Sequence, residues 1–391
     1  MKILIYTDIA LTERYKAGNI NALMTLIGRL STHTQVEILC THCSRPDRVL
    51  PPGVRVIWRP DFVNLFTRKL RKFFDVERDM LSYKGSLLKE LFVKRQLAVG
   101  SYDLVVVEYL ENVVLLDAIR SRTSAPVVCD IHDLMSLRAE AFARSAQVHR
   151  ENLAIAHADE LTALARFDAV IALQAVEASV IRAALPGLPV IVTRRTPPIL
   201  AEISVQRATN GVVTIGFLGT SASFNVDAAN RMLSSDYKIE YGVNYVIGGS
   251  VCQHVVSDSS NVELLGAVDS LKTFYEGIDV LANMIGFGSG LKTKNLEALA
   301  HGVPVITTSV GAEGMEDLIG HGLYLANSGI EFLQAVEAIK VDMARGKIKE
   351  RVSSTYKEFF SPDRVFADLD SYLDSITRGT QPTATLSPFV A

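Results

Sequence analysis

Short apolar runs rich in β-branched residues alternate with longer stretches of helical periodicity along most of the chain. Lys2–Tyr6 is apolar and is broken off by Thr7 and Asp8. Gly18–Ser31 follows, with Ile20, Leu23, Met24, Ile27 and Leu30 at helical spacing. Val36–Cys40, Val54–Trp58, Asp103–Val107, Pro126–Ile131, Ala169–Leu173 and Val190–Thr193 read as further strands, with a helix over Val113–Arg122. The run at Asp103–Val107 does not alternate, which marks a strand covered on both faces. Strand, helix and strand in this rhythm predict a parallel sheet with helices on either side.

The rhythm pauses at Arg194–Gly211, where Pro197, Pro198, Asn210 and Gly211 read as a linker. It restarts with strands expected at Val212–Leu218, Asn244–Ile247, Val262–Leu264, Val280–Asn283, Val303–Thr307 and Gly322–Leu325. Helices are expected at Asn225–Leu233 and Leu271–Tyr275, and Glu331–Ser375 is mostly helical. The fold class is therefore α/β: two tandem Rossmann-like doubly wound domains, over 1–193 and 211–361, joined by a linker over 194–210. Residues 377–391 lack periodicity and read as a flexible tail. Ligands of such sheets sit beyond the C-terminal strand ends. Functional side chains are thus expected on post-strand loops of both halves, facing a cleft.

Composition changes this picture only by exclusion. The 391 residues carry 40 Lys and Arg against 43 Asp and Glu, a formal charge of −3, so no global excess favours nucleic acid as partner. Apolar runs such as Leu104–Val107 are too short to span a bilayer, and Ile3–Tyr6 is too short for a signal peptide. Four cysteines do not make a disulfide framework, and a reducing cytoplasm is the expected compartment.

Residues 283–315 carry the most chemistry. Gly286, Gly288 and Gly290 follow the strand ending at Asn283 and let backbone approach a ligand. A helix is expected from about Leu291, ended by Gly302 and Pro304. A glycine loop entering a helix N-terminus cradles phosphate, because amides point outward and the helix dipole favours an anion. Lys292 and Lys294 stand where that dipole disfavours cations, which points to a compensating anion. Glu297, one turn in, either meets a sugar diol or pairs with Lys294 on a wet face. Neither a Walker A loop nor a first-strand G-x-G-x-x-G is present.

These residues resemble the donor-binding stretch of GT-B glycosyltransferases, especially the retaining family 4, glycosyl transferases group 1. The resemblance is carried by Gly288, Gly290, Lys292, Lys294, Glu297, Ala298, Ala300, Gly302, Pro304, Val305, Thr308, Gly311, Glu313 and Gly314. Upstream, Gly216–Ala229, Gly248–Gly249 and Val262–Val268 are similar to the family's first loop and base-flanking segments. The resemblance implies that Glu297 binds the ribose of a nucleotide-sugar donor and that Gly290, Leu291 and Lys292 hold the diphosphate. Gly288, Ser289, Lys294, Gly219 and Thr220 complete the implied donor site. It also implies metal-independent, retaining transfer to a glycan or lipid-linked acceptor in surface polysaccharide or glycoconjugate synthesis, with no cofactor. In this fold a helix such as 362–376 commonly crosses back to the first domain. Three departures stand out. Ser289 replaces a second glutamate, Thr220–Asn225 lacks the usual basic residues, and Asn283–Met284 replaces a proline. The alternatives are an epimerase-like nucleotide-sugar enzyme and a catalytically silent scaffold.

In the first domain, Gly18 and Asn19 open a helix after the first strand, as an N-cap region or as a loop to phosphate or acceptor. His132, flanked by Asp130 and Asp133, ends a buried strand, and the resemblance puts such a histidine on the donor sugar. Glu108 and Glu111 are candidates to bind acceptor hydroxyls or act as base. Residues 55–95 hold 11 Lys and Arg against five Asp and Glu. Within them, 62–74 interleaves phenylalanines with basic residues, either as an amphipathic helix on anionic lipid or as core-facing rings with a wet basic face. Cys40 and Cys43 lack the second pair that zinc needs, and Asp368 and Asp370 form a D-x-D within a helical stretch. No metal site is expected.

Overall fold

The computed structural model describes residues 1–12, 18–63, 81, 85–143, 155–194, 211–288 and 290–380. Residues 64–74 of the basic segment, Ser289, nearly all of the linker and the tail beyond 380 lie outside them. The chain divides into two compact units: residues 1–140, 150–195 and 362–391, and residues 141–149 and 196–361.

The first unit is built on a seven-stranded sheet of β1 (Lys2–Thr7), β2 (Gln35–Cys40), β3 (Val54–Trp58), β4 (Leu104–Glu108), β5 (Val127–Asp130), β6 (Ala169–Ala172) and β7 (Val190–Val192). All strands run parallel, in the order β3-β2-β1-β4-β5-β6-β7. Every residue of β4 and β5 is buried, as continuous apolar runs covered on both faces should be. Around them Leu4, Val105, Val107, Cys129 and Val170 pack with Leu97, Leu116 and Ile181 from the flanking helices into one core.

The second unit has six parallel strands: β8 (Val213–Leu218), β9 (Val243–Gly248), β10 (Val262–Gly266), β11 (Val280–Asn283), β12 (Val305–Thr307) and β13 (Leu323–Leu325). Their order is β10-β9-β8-β11-β12-β13. In both sheets the order reverses beside the first strand, between β1 and β4 and between β8 and β11. Loops leaving those strand pairs turn to opposite faces and open a crevice, the usual ligand position in such sheets.

Two expectations need correction. The helix expected over Val113–Arg122 is a 3-10 segment, Leu110–Leu115, followed by a short helix, Leu116–Arg120. Tyr109, at φ 64°, turns the chain there, and Asn112 spends its side-chain amide on the carbonyl of Glu108 at 2.7 Å. The C-terminal helix spans Ala367–Arg378, past the point at which a tail was expected, and packs on β7 within the first unit. Its D-x-D is structural. Asp368 accepts the amide of Val192 at 3.2 Å, and Asp370 takes the guanidinium of Arg29, with Nε at 3.0 Å.

Candidate functional site

In the second unit, Gly219 and Thr220 leave β8 while the glycine loop leaves β11, so the two segments flank the β8/β11 crevice. The β8 loop is braced by the loop after β9. Gly219 donates to the carbonyl of Gly248 at 3.0 Å, and the Ser221 amide donates to the Ser250 hydroxyl at 2.9 Å. Gly249, at φ 94°, presses so close that a Cβ would overlap the Gly219 carbonyl oxygen.

The glycine loop rests on a buried polar lattice. Asn283 donates to the Asn295 side chain at 2.9 Å, and Asn295 donates to the carbonyl of Gly311 at 2.9 Å. The Thr307 hydroxyl donates to the Asn283 carbonyl at 2.7 Å. Asparagine in place of the family's proline thus ties β11 to the helix beyond the loop. Gly288 and Gly290 take positive φ, 127° and 76°, as a sharply turned loop requires. Gly286 lies against the movable end of the Arg231 side chain.

The helix starts at Thr293, two residues later than expected. Thr293 donates to the Leu291 carbonyl and Asn295 to that of Lys292, both at 2.9 Å, so two amides are used within the entering turn. The lysines part company. Buried Lys292 reaches back to the Gly290 carbonyl at 2.8 Å and to Glu313 at 3.3 Å, clasping the loop. The ammonium of Lys294 turns toward β8, donates to the Asn225 carbonyl oxygen and lies 4.4 Å from the Phe217 ring centre. Asn225 in turn donates to the Thr220 hydroxyl at 3.1 Å. Burial pushes the pKa of Lys294 down to about 7, with the Glu297 charge pulling it up. A lysine from the helix therefore stands by the loop that lacks basic residues of its own.

Glu297 is half-buried and accepts a hydrogen bond from the Tyr275 hydroxyl at 3.2 Å. Burial and the Glu297 charge hold Tyr275 protonated, so it remains a donor. Of the two readings the sequence left open, a sugar diol or an i,i+3 pair with Lys294 on a wet face, the carboxylate keeps the Lys294 charge within reach but lies beside a buried tyrosine rather than on a fully exposed face. Asn225 and Tyr275 escaped the sequence reading. They lie far along the chain from Lys294 and Glu297, and no local spacing connects them.

In the first unit, Asn19 stands after β1 and Tyr109 after β4, flanking the β1/β4 crevice. Gly18 begins the helix Gly18–Ser31. Asn19 donates its amide to the Tyr109 hydroxyl at 2.8 Å. The Tyr109 ring stacks on His132, centroids 4.4 Å apart and planes 21° apart. His132 sits at φ 58°, just past β5, and its Nε2 lies 2.7 Å from Glu108 Oε2 and 3.9 Å from Asp130 Oδ2. Two adjacent non-glycine residues of one cluster in left-handed backbone mark a geometry held by its surroundings. Downstream, buried Glu160 accepts the amides of Met135 and Ser136 at 2.7 and 3.0 Å, pinning the chain past His132.

Glu108 departs from its expected role. It has no exposed surface, so it does not reach an acceptor hydroxyl and instead orients His132. Glu111 is partly exposed. Glu108, Asp130 and His132 place ligand-type atoms within 4.8 Å of one another, and among the described residues this is the group that could hold a metal ion. The four cysteines are free thiols, Cys40 on the Ile9 carbonyl at 3.6 Å and Cys43 on that of Asp61 at 3.4 Å.

Residues 211–341, within the second unit, match the family described as glycosyl transferases group 1, and the two Rossmann-like units have the architecture of a GT-B fold. The HepE protein of Anabaena, solved with UDP and glucose, superposes with a TM-score of 0.63 at 14% identity, over 96% of this chain and 100% of that one. Sucrose-phosphate synthase of Thermosynechococcus elongatus gives 0.65 at 15%, over 97% and 100%. The lipopolysaccharide outer core galactosyltransferase WaaB gives 0.61 at 13%, over 96% and 99%. A curated relative, an uncharacterized 44.6 kDa protein in the cps region of Klebsiella pneumoniae, is 28% identical over 102 residues. That match spans about a quarter of each chain, 26% of both. Among the described residues no helix is long and apolar enough to cross a membrane.

Proposed function

We propose that this protein is a glycosyltransferase that moves a sugar from a nucleotide-diphosphate donor to a glycan or lipid-linked acceptor. The observation that carries the reading is the joining, at one switch point, of a glycine loop, the inward-turned Lys294 and the Tyr275-bound Glu297. In the reaction the acceptor hydroxyl oxygen bonds to the anomeric carbon as the bond from that carbon to the diphosphate oxygen breaks, and the hydroxyl proton passes to the departing diphosphate. The departing nucleoside diphosphate takes up negative charge. Loop amides of Gly290 and Leu291, the helix dipole and Lys294 stabilise it, with no call on a metal ion. Lys292 shapes the loop that supplies those amides. Glu297 accepts from the ribose hydroxyls, while Tyr275 holds its other face. Glu108 orients His132, the residue that the resemblance assigns to the sugar. Retention of configuration and a place in surface-glycan assembly follow from the resemblance, and the cps-region relative agrees with the latter.

Titration calorimetry against a panel of nucleotide-diphosphate sugars tests this. Glu297→Gln is expected to weaken the preferred donor about tenfold to a hundredfold, the worth of hydrogen bonds to a charged acceptor. Unchanged affinity in the folded variant removes the assignment. Epimerised donor without acceptor would favour the epimerase, and no donor binding at all the silent scaffold.

A further inference from the structure

The flank of the first unit holds a cavity that the donor site does not use. It measures about 270 Å³ and lies over β2 and β3, at the outer edge of the sheet, against the helix Leu87–Val99. Its wall carries Lys2, Arg55, Arg59 and Arg95 against a single carboxylate, Glu37. Lys2 begins β1 and Gly100 precedes β4, while Leu39, Ile57 and Arg59 lie at the far ends of β2 and β3, so the cavity runs along the edge strands, and none of Asn19, Tyr109 and His132 lines it.

Glu37 is already matched. Lys2 Nζ lies 3.1 Å and Arg55 3.5 Å from one of its oxygens, while Tyr102 and Gln96 donate to the other. Burial alone would raise its pKa; the Tyr102 bond and the two cations outweigh that and hold it below the usual range. The cavity thus keeps a surplus of positive charge that includes three arginines, the side chain whose planar fork suits phosphate oxygens.

The same helix exposes apolar side chains next to the cavity. Leu87 is 83%, Leu91 57% and Val99 77% exposed, and Val99 itself lines the cavity with Arg95. On the opposite side of the helix Lys89, Val93 and Leu97 are buried. An apolar stripe bordering a cationic hollow matches the boundary of an anionic bilayer, where phosphate and acyl chain meet. We propose that this cavity seats the phosphate of an anionic lipid headgroup, with Leu87, Leu91 and Val99 entering the interface. The assignment is independent of the donor site and rests on different residues.

Co-sedimentation of the full chain with vesicles tests it. Vesicles of phosphatidylglycerol in phosphatidylcholine are expected to bind the protein and pure phosphatidylcholine vesicles are not. The double variant Arg55→Ala with Arg95→Ala should lose at least about tenfold in vesicle affinity, because each basic residue near the surface adds to the attraction. Both side chains are exposed, and Lys2, Tyr102 and Gln96 still hold Glu37 when Arg55 is removed; calorimetry with the nucleotide sugar serves as control and should be unchanged. Equal binding to neutral vesicles, or undiminished binding by the double variant, overturns the proposal. Binding of glycerol 3-phosphate in solution by a protein that ignores the vesicles overturns the lipid source.

Discussion

At the β1/β4 crevice the chain offers side chains: Asn19 on Tyr109, Tyr109 stacked on His132, and His132 between Glu108 and Asp130. At the β8/β11 crevice it offers backbone: glycines at positive φ, the entrance to a helix, and lysines at its edge. The topology is the same and the electrostatics are opposite. The first crevice has acids buried behind it that orient His132 and disfavour a bound anion. The second presents loop backbone beside Lys292 and Lys294, the groups that the proposed function assigns to a diphosphate. In the reading proposed above the second crevice binds the nucleotide while the first serves the transfer step, so variants in either crevice should affect mainly one of these.

The largest effect is expected where the second crevice is tightest. Gly249→Ala forces a Cβ into the Gly219 carbonyl and places alanine at φ 94°, so the loops after β8 and β9 must part. A loss of roughly 3 kcal/mol or more of stability follows from strain and clash together. Urea unfolding measures it, and a midpoint equal to the parent's would show that the two loops are not braced as described.

Glu108→Gln sharpens the contrast from the other side. The amide keeps the size of the side chain but removes the charged acceptor from His132 Nε2, worth about 2 kcal/mol. Transfer to acceptor is expected to fall about tenfold to a hundredfold while nucleotide affinity stays as it was. If nucleotide affinity fell in step, the division of labour between the crevices would be wrong.

The sequence shows how far such a contrast can be read in advance. All thirteen strands were legible, because each is a short apolar run between turn residues. So was the glycine loop, whose chemistry is local. Errors arose where a side chain from elsewhere decides the outcome. Lys292 meets Glu313 across 21 positions, Lys294 meets Asn225 across 69, and both change what those lysines do. The departure at Thr220–Asn225 left open which cation replaces the missing basic residues, and Lys294 now stands there. In the first unit, the positive φ at Tyr109 has no signature in residue type, and at His132 the tendency of histidine toward such backbone is too weak to mark the position in advance.

The smallest effect concerns protonation of that same lysine. Burial lowers Lys294 from 10.5 to about 7, so in the folded protein it loses its proton as pH rises through neutrality. A diphosphate favours the charged form. Donor affinity should therefore be highest below about pH 7 and weaken above it, by at most about tenfold per unit. A nucleotide-diphosphate sugar is the right probe, because its phosphates do not titrate there. Folding stability should move the other way. Between about 7 and 10.5 the unfolded chain binds a proton that the folded one does not, so stability rises with pH across that window. Opposite slopes for binding and folding, both flattened by Lys294→Met, are the expected signature. A flat donor affinity from about pH 6 to about pH 9 would place the diphosphate away from Lys294. The cationic character of the second crevice would then rest on amides alone.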